Sequence, residues 1–427
     1  PSVSTDGDRK GDVTAAAEFL KNHLESIGME NVTVHSTPGH PIVTAERLRK
    51  PGLPTVLIYG HYDVQPSDPD GEWESPAFLP EIRDGRIYAR GASDDKGQFM
   101  THVCALEAYM AAEGELPVNV KVLLEGEEEI GSPNLVPFLQ AHRDWAACDM
   151  VLVSDTAMFD EDQPSITVGL RGLAYMEIHV KGPDRDLHSG VYGGAVANPA
   201  NALSEIITKL KGPGGTVLVP GFYDEVRELS DEEKQAVQAL PFDEERFKRE
   251  IGVKELSGEA RYSPLEHMTS RPTLDVNGLW SGYQGEGAKT VLPARAGAKV
   301  SMRLVPDQDP DTIARLFKEY VEMIAPSNVE VEVVAHHGGW PIVVDLTFDG
   351  LKAAEHAFRE EFGKEVFFTR EGGSIPIIAD FKRILGADSV LMGFGLQKDA
   401  LHSPNESFSV KDYHRGARVS ARFLRRL

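Results

Sequence analysis

The stretch TVLIYGHYD, residues 55–63, opens with a mostly apolar run and then turns polar. A short continuous apolar run is typical of a strand that is buried on both faces, as in a sheet covered by helices on either side. His61, Tyr62 and Asp63 follow where this strand is predicted to end. The stretch therefore predicts an α/β fold with polar side chains at one edge of its sheet.

Strands and helices alternate around this stretch. VNVKVLLEG (118–126) and DMVLVSD (149–155) have strand character, whereas AAAEFLKNHLESIGM (15–29) and GQFMTHVCALEAYMAAEG (97–114) have the apolar spacing of helices. Strands that alternate with helices favour a largely parallel sheet. The same pattern of helices and strands returns in FDGLKAAEHAFREEFG (348–363) and the residues after it, so the α/β fold is expected to resume there.

The middle of the chain has a different pattern. GLAYMEIHVKG (172–182) alternates like a strand with one exposed face, and DPDTIARLFKEYVEMIA (309–325) is predicted to be a helix with an aspartate cap. We therefore predict an α+β domain at residues 173–345, inserted between two parts of the α/β domain at 1–172 and 346–427. An acidic region punctuated by Pro and Gly, Pro213–Arg271, has no assigned role and is called the 213–271 segment.

Composition narrows the range of partners. The 427 residues include 67 acidic and 44 basic side chains, a formal charge of −23 that repels nucleic acid and anionic membranes. No window approaches the roughly 20 apolar residues of a membrane span. Cys104 and Cys148 form no C-x-x-C motif and suggest no disulfide, which fits a reducing cytoplasm. The opening PSVSTDGD has no secretory leader pattern, so a cytoplasmic protein is expected.

Ionisable side chains follow four of the predicted buried strands. His61 and Asp63 follow the first, Glu127–Glu129 the second, Asp155 the third, and His402 the strand in SVLMGFG (389–395). The carboxyl ends of strands in an open α/β sheet line the crevice where ligands bind. Imidazole and carboxylate groups without a thiol predict a divalent metal site, with zinc the first choice and manganese or cobalt as alternatives.

Each of these features has an ordinary structural interpretation when it stands alone. The acid run in LLEGEEEIGS (123–132) could be a solvated face, GASDDKG (91–97) a polar loop, and ALHSPNE (400–406) a loop with a chance histidine. Asp155 could cap a helix or a turn. Together these interpretations require several coincidences at one edge of one sheet, so the sequence favours a shared site.

Several segments resemble a known enzyme family. They are GHYDVQP, GRIYARGASDDKGQ, LLEGEEEIGS, VSDTAMF, DLHSGVYGG, GAKTVLPARAGAKVSMRLVP, TREGGSIPI and ALHSPNE, which run in order from Gly60 to Glu406. As a set they resemble the dinuclear zinc peptidases that include carnosinases, cytosolic nonspecific dipeptidases, aminoacylase-1, carboxypeptidase G2 and succinyl-diaminopimelate desuccinylase. DLHSGVYGG and REGGSIP resemble the carnosinase and dipeptidase branch. The resemblance implies a zinc-exopeptidase-like α/β catalytic domain with an inserted α+β lid and dimerisation domain.

The resemblance also implies a set of metal ligands. Asp94, the first acid of SDDKG, would be shared by two divalent metal ions. His61 and Asp155 would complete the first ligand set, and Glu129 and His402 the second. Each metal would then have three protein ligands and a position open for water.

Further residues receive implied roles around these ligands. Glu128 would be the general base that takes a proton from the attacking water, and the same group would then protonate the leaving amine. Asp63 would accept the other ring N–H of His61, and Asp95 would support the turn around Asp94. Glu125 and Glu127 are interpreted as strand-end acids without a role, more consistent with the surface than with the site.

The inserted domain carries the residues implied in substrate binding. His188 resembles a histidine that reaches into the partner's active site across a dimer, where it would stabilise the oxyanion, so a homodimer through the inserted domain is expected. Arg303 resembles the arginine that binds the terminal carboxylate of the substrate, brought onto it by lid closure. Weaker resemblances suggest substrate contacts at His337, Thr290, Gly373 and Ser374.

These features predict a metal-dependent dipeptidase or exopeptidase. It would hydrolyse the amide bond of a dipeptide or small peptide with a free C-terminal carboxylate. An N-acyl amino acid amidohydrolase with the same chemistry is the alternative within enzymes, and a non-catalytic metal-binding scaffold is the alternative outside them. A serine hydrolase is disfavoured because no G-x-S-x-G motif occurs.

Overall fold

A computed structural model describes all 427 residues, except for the side chain of His337. The chain divides into two compact units. Unit 1 comprises residues 1–168, 344–369 and 377–427, and unit 2 comprises residues 169–343 and 370–376. Among the described residues, no helix is both long enough and apolar enough to cross a membrane.

Helices and strands follow one another along the whole chain. The first part of the chain contains α1 (Lys10–Ser26), β1 (Glu30–His35), β2 (Ile42–Arg47), β3 (Thr55–His61), β4 (Glu81–Arg83), β5 (Arg86–Tyr88), α2 (Lys96–Glu113), β6 (Asn119–Glu125), α3 (Leu135–Ala141), α4 (Arg143–Ala146), β7 (Met150–Val153) and β8 (Ser165–Leu170). The middle contains β9 (Gly172–Lys181), β10 (Leu187–His188), α5 (Ser189–Tyr192), α6 (Pro199–Leu210), α7 (Asp231–Ala239), α8 (Glu244–Ile251), α9 (Pro264–Thr269), β11 (Thr273–Ser281), β12 (Val291–Leu292), β13 (Arg295–Leu304), α10 (Pro310–Ile324), β14 (Glu330–Gly339) and β15 (Ile342–Val343). The last part contains α11 (Asp349–Phe362), β16 (Phe367–Glu371), α12 (Pro376–Leu385), β17 (Asp388–Leu391), β18 (Ser407–Ser409) and α13 (Val410–Arg426).

The main sheet has the strand order β1-β2-β6-β3-β7-β17-β8, with the short strand β15 beyond β8. Its four central strands, β6, β3, β7 and β17, are parallel neighbours. Antiparallel strands flank them at β2 and β8. Parallel neighbours end at the same edge of a sheet, so the segments that follow these four strands start from one edge. The prediction of an α/β fold with a largely parallel central sheet is confirmed.

The central strands are apolar because both of their faces are covered. Every residue of β6 and β7 is buried, and helix α2 packs on α13 and on β3. Helix α2 ends at Glu113 and is capped by Gly114, whose φ of +71° lies in the left-handed region that glycine adopts without strain. The predicted helix at residues 97–114 therefore agrees closely with α2.

Unit 2 contains a four-stranded antiparallel sheet in the order β11-β13-β9-β14. Residues of β9 alternate between buried and half-buried positions, and helices α6 and α10 pack against the buried face. The side chain of Asp309 accepts the N–H groups of Asp311 and Thr312, which confirms the predicted aspartate cap of α10. The 213–271 segment contains α7, α8 and α9, which the sequence pattern did not predict.

Candidate metal centre

The four central strands and the start of α2 bring ionisable side chains together in unit 1. His61 is the last residue of β3, Asp155 lies two residues after β7, and Glu128 and Glu129 form a short turn of 3₁₀ helix after β6. Asp94 lies two residues before α2, and His402 lies in the loop after β17. The parallel pairing of these strands therefore explains why residues distant in sequence meet at one sheet edge.

His61, Asp94 and Asp155 form the first candidate ligand set. The Nε2 atom of His61 lies 3.0 Å from Oδ1 of Asp94 and 4.0 Å from Oδ2 of Asp155. One nitrogen or oxygen from each residue lies within 4.8 Å of the others. His61 is fully buried, so these carboxylates surround it away from bulk water.

Asp94, Glu129 and His402 form the second candidate ligand set. Nε2 of His402 lies 2.9 Å from Oδ2 of Asp94 and 3.4 Å from Oε2 of Glu129. Gln65 also donates a hydrogen bond to Glu129 Oε2 at 2.7 Å. Asp94 belongs to both sets and offers a different oxygen to each histidine, as a carboxylate shared by two cations requires.

The electrostatics of the cluster fit a bound cation. Burial and the charge of Asp94 raise the pKa of Asp155 well above its usual value. Burial raises the pKa of Glu128 to about 7, with the charge of Glu129 adding to the shift, and burial also raises the pKa of Glu129 itself. Crowded buried carboxylates are unfavourable unless positive charge compensates them. The imidazole and carboxylate donors therefore suit two divalent metal ions.

Removing the metals is expected to make stability strongly dependent on pH. The carboxyl groups of Glu128, Glu129 and Asp155 have raised pKa values in the folded chain, so they favour folding while protonated and oppose it as pH rises. The two histidines in the cluster have pKa values raised by carboxylates, and they lose stabilising charge in the same direction. Chelator-treated protein should therefore melt at falling temperatures from about pH 5 to pH 8.

Differential scanning calorimetry of metal-loaded and chelator-treated protein would measure this effect. The gap between the two melting temperatures should widen as pH rises, because bound cations remove the charge conflict only in the loaded protein. A gap that stays constant across this range would contradict the charge argument.

Asp63 holds the turn that carries the candidate base. Its Oδ1 and Oδ2 accept the backbone N–H groups of Glu128 and Glu129 at 3.2 and 3.1 Å. Its Oδ1 also lies 3.4 Å from Nδ1 of His61, and its backbone carbonyl lies 3.2 Å from the same nitrogen. Asp63 is fully buried, so one carboxylate connects the orientation of His61 to that of the Glu128 backbone.

Glu125 and Glu127 are buried, so the interpretation of these residues as surface acids was wrong. Glu125 accepts hydrogen bonds from the hydroxyl groups of Tyr59 and Ser132 at 2.7 and 2.8 Å, and burial raises its pKa to about 8. Glu127 accepts from the backbone and side chain of Asn134 and from the backbone of His40. These acids anchor the two sides of the turn that presents Glu128 and Glu129.

Glu406 is a supporting residue that sequence reasoning did not assign. Its carboxylate accepts the backbone N–H groups of Gly91, Ser93 and Asp94 at 2.9–3.0 Å and pairs with Arg90 at 2.8 Å. It therefore fixes the loop that carries the shared carboxylate. The only sequence signal was its place at the end of ALHSPNE, four residues after His402.

Asp95 and the following turn also support the shared ligand. The peptide bond between Asp94 and Asp95 is cis, and Asp95 Oδ2 accepts the backbone N–H of His61 at 3.2 Å. Asp95 thus connects the turn to the end of β3. This hydrogen bond is consistent with the supporting role that the resemblance implied for Asp95.

His188 and Thr290 lie on neighbouring short segments of unit 2. His188 pairs with Val291, and the carbonyl of Thr290 accepts the backbone N–H of Ser189 at 3.1 Å. The exposed His188 ring accepts the N–H of Gly190 at its Nδ1 atom, at 3.0 Å. A neutral ring with Nδ1 as acceptor carries its proton on Nε2, where it can donate to an oxygen.

Arg303 and Ser374 also lie together in unit 2. Nη1 of Arg303 donates to the hydroxyl oxygen of Ser374 at 2.8 Å. The neighbouring Gly373 is exposed, and a Cβ atom added there would meet no other atom within 4 Å. The side chain of His337 lies outside the described part of the structure, so its suggested substrate contact stays a prediction.

The fold and the site define a class of protein. Two imidazole and carboxylate sets share one aspartate, beside a half-buried glutamate at the carboxyl edge of a parallel sheet. This is the arrangement of a metal-dependent hydrolase with paired cations. Comparisons with known proteins narrow this class.

The model of peptidase family M20/M25/M40 matches residues 57–426. The chain is 33% identical to Cys-Gly metallodipeptidase DUG1 of Candida albicans, covering 99% of this chain and 91% of that protein. It is 34% identical to the human Beta-Ala-His dipeptidase, covering 91% of this chain and 78% of that protein. The chain therefore belongs to peptidase family M20/M25/M40 and is a metallopeptidase.

Solved structures agree with this assignment. The di-peptidase Dug1p of Saccharomyces cerevisiae has a TM-score of 0.89 at 30% identity and covers 100% of this chain and 93% of its own. The M20 family metallo-carboxypeptidase Sso-CP2 of Sulfolobus solfataricus has a TM-score of 0.90 at 35% identity and covers 100% and 96%. The resemblance identified from the sequence segments, including the dipeptidase branch, is confirmed.

Proposed function

We propose that the protein is a dipeptidase that hydrolyses the amide bond of unblocked dipeptides with a free C-terminal carboxylate. The observation that carries this proposal is the pair of ligand sets that share Asp94 beside half-buried Glu128. The named dipeptidase relatives support the choice of substrate. Two zinc ions are the cofactors we propose, since each set offers imidazole and carboxylate ligands.

Glu128 is the group that moves the proton. Two divalent cations bound at the ligand sets would lower the pKa of a water molecule and polarise the scissile carbonyl. The Glu128 carboxylate accepts a proton from the attacking water and delivers it to the leaving amine nitrogen. Asp63 holds the backbone of Glu128 in place during both transfers.

Unit 2 contains groups suited to two negative charges: the terminal carboxylate of the substrate and the oxyanion that forms when water attacks. The Arg303 guanidinium binds the C-terminal carboxylate of the substrate through paired N–H donors. The Nε2–H of His188 donates to the oxygen that becomes negative when water attacks. Thr290 and the Gly373–Ser374 backbone are proposed as further substrate contacts.

Two alternative substrate classes use the same chemistry. The similarity to a metallo-carboxypeptidase favours release of the C-terminal residue from longer peptides, which also requires a free terminal carboxylate. An N-acyl amino acid amidohydrolase would accept substrates that have no free N-terminal amine. These classes differ in the substrates that they accept, so hydrolysis rates on different substrates distinguish them.

A substrate panel tests the proposed function. Chelator-treated protein is reconstituted with zinc, manganese or cobalt and given unblocked dipeptides, tripeptides, N-acetylated dipeptides and N-acyl amino acids. Fast metal-dependent hydrolysis of the unblocked dipeptides alone supports a dipeptidase. Equal rates on tripeptides would move the assignment to a carboxypeptidase, and a preference for acylated substrates would move it to an amidohydrolase.

We further propose a homodimer in which His188 acts on the partner's site. Its ring is exposed and its Nδ1 accepts the N–H of Gly190, so Nε2 is the ring atom suited to donate to another subunit. Cys104 and Cys148 are both free thiols, which supports a reducing compartment such as the cytoplasm. Fractionation of cells that express the native gene would check this location.

Subunit mixing is expected to restore activity if His188 acts in the partner. Glu128→Gln and His188→Ala protomers are each inactive alone, but one of the two sites in a mixed dimer combines an intact base with an intact histidine. Random mixing should therefore recover about a quarter of wild-type activity, since half of the dimers are mixed in a two-fold assembly. Sedimentation would confirm the dimer, and failure to recover any activity would place His188 in its own subunit's site.

A further inference from the structure

A short chain of hydrogen bonds holds the guanidinium of Arg303 in place. Its Nη1 donates to the hydroxyl oxygen of Ser374 at 2.8 Å. That hydroxyl donates its own proton to the backbone carbonyl of Arg171 at 2.5 Å. The direction in which Arg303 points therefore depends on the position of the Gly372–Ser374 loop.

The side chain of Arg171 holds the same loop from the other side. Its Nε donates to the carbonyl of Gly372 at 3.0 Å, and its Nη1 donates to the carbonyls of His267 and Arg271 at 3.3 and 3.4 Å. All three acceptors are neutral carbonyl oxygens. Arg171 thus clamps the loop to the end of the 213–271 segment.

Positive charge in this cluster is only partly compensated within the described chain: the charge of Asp275 acts on Arg171, but no carboxylate pairs with it directly. Neither Arg171 nor Arg303 forms an ion pair with a carboxylate among the described residues, although most partly buried arginines in this protein do. Burial lowers the pKa of Arg171 to about 10, and the neighbouring charge of Arg303 contributes to this shift. A half-buried cation without a directly paired carboxylate is unfavourable, so an incoming anion would be bound favourably.

Gly372 allows this close packing. A Cβ atom added there would lie 2.6 Å from Nη2 of Arg171 and 2.5 Å from the carbonyl oxygen of Met268 in α9. Neither distance is tolerable without movement of the loop. Arg370, which precedes the loop, also pairs with Glu233 of α7 at 2.5 Å, so a second contact fastens the loop to the 213–271 segment.

We propose that Arg171 is a positioning residue that determines specificity for a free C-terminal carboxylate. It fixes the Gly372–Ser374 loop so that Ser374 aims Arg303 at the substrate carboxylate, and its own unpaired charge strengthens the attraction for that anion. Carbonyl groups of the 213–271 segment accept the hydrogen bonds that hold the Arg171 side chain in this position. The proposal rests on the proposed function only in assigning the terminal carboxylate to Arg303.

Steady-state kinetics on a dipeptide and its C-terminal amide test the proposal. Arg171→Met should raise KM for the dipeptide about tenfold to a hundredfold, the value of one or two charge-assisted hydrogen bonds, with little change in kcat. Rates on the amide should change little, so discrimination between acid and amide should fall. Arg171→Lys should lie between, because lysine keeps the charge but not the planar fork.

A double-mutant cycle separates positioning from general damage. Arg171→Met combined with Arg303→Met should be hardly worse than Arg303→Met alone, because both changes remove one function. Arg315→Met, which removes only an exposed pair with Glu319 on α10, is the matched control. Additive losses, or equal losses on the acid and the amide, would overturn the proposal.

Two further measurements cover the cases in which Arg171→Met does not fold or the wild type is not a dipeptidase. If Arg171→Met does not fold, as judged by circular dichroism, Gly372→Ala displaces the loop while keeping both cations and should show the same selective rise in KM. If the wild type prefers N-acyl amino acids, the dipeptidase assignment fails, but the ratio of rates on the acid and its amide still tests Arg171. An unchanged ratio in Gly372→Ala and Arg171→Lys would overturn the inference.

Discussion

Glu128→Gln is expected to reduce kcat by about 10²- to 10⁴-fold, the usual contribution of a positioned general base. Glutamine has nearly the same shape but cannot accept a proton from water at neutral pH. The change removes one acid, whose pKa is raised, from a crowded cluster, so the fold should survive and the melting temperature of the metal-free protein should not fall.

The measurement is kcat on an unblocked dipeptide, together with metal analysis of the same sample. Metal content should equal that of the wild type, because Glu128 belongs to neither ligand set. Glu113→Gln, an exposed change at the end of α2, is the control. Full activity in Glu128→Gln would remove Glu128 from the mechanism, and loss of metal would make it a ligand instead.

Asp94→Ala is expected to abolish activity by disrupting both ligand sets at once. Asp94 faces His61 with one oxygen and His402 with the other, at 3.0 and 2.9 Å, so its loss leaves each set with two ligands. Activity should fall at least as far as in Glu128→Gln. Metal retained after dialysis should drop well below that of Asp155→Ala, which disturbs only the first set.

Mass spectrometry of dialysed protein would measure the retained metal. The comparison between the two variants is informative because both remove one buried carboxylate of the same type. Equal metal retention in Asp94→Ala and Asp155→Ala would show that Asp94 is not shared between two cations.

The central fold and the meeting of the candidate ligands at one sheet edge were predictable because their signals are local. Continuous apolar runs identify β3, β6 and β7, and the ionisable residues directly after them need only a parallel sheet to meet. His402 was harder to place, since it follows β17 by eleven residues in a loop. Its φ of +60° is rare for a non-glycine residue, and sequence reasoning has no means to detect this.

The remaining features depend on tertiary contacts that no local pattern reveals. Glu125 and Glu127 look like surface acids in sequence, yet partners from distant segments satisfy their buried oxygens. The antiparallel strands β1 and β2 and the helices of the 213–271 segment were not predicted, because their apolar residues are sparse and their burial comes from packing. The unpaired charge of Arg171 likewise depends on which groups the fold places around it.

The position of β17 constrains when the catalytic centre can form. β17 lies between β7 and β8, and both of these strands are synthesised more than 200 residues earlier, before the whole of the inserted unit. A nascent chain on the ribosome therefore has a gap in its main sheet until β17 emerges, and it lacks His402 and the Glu406 carboxylate until slightly later. The second candidate ligand set, which contains His402, can therefore assemble only after unit 2 has been synthesised, whereas all residues of the first set are present much earlier.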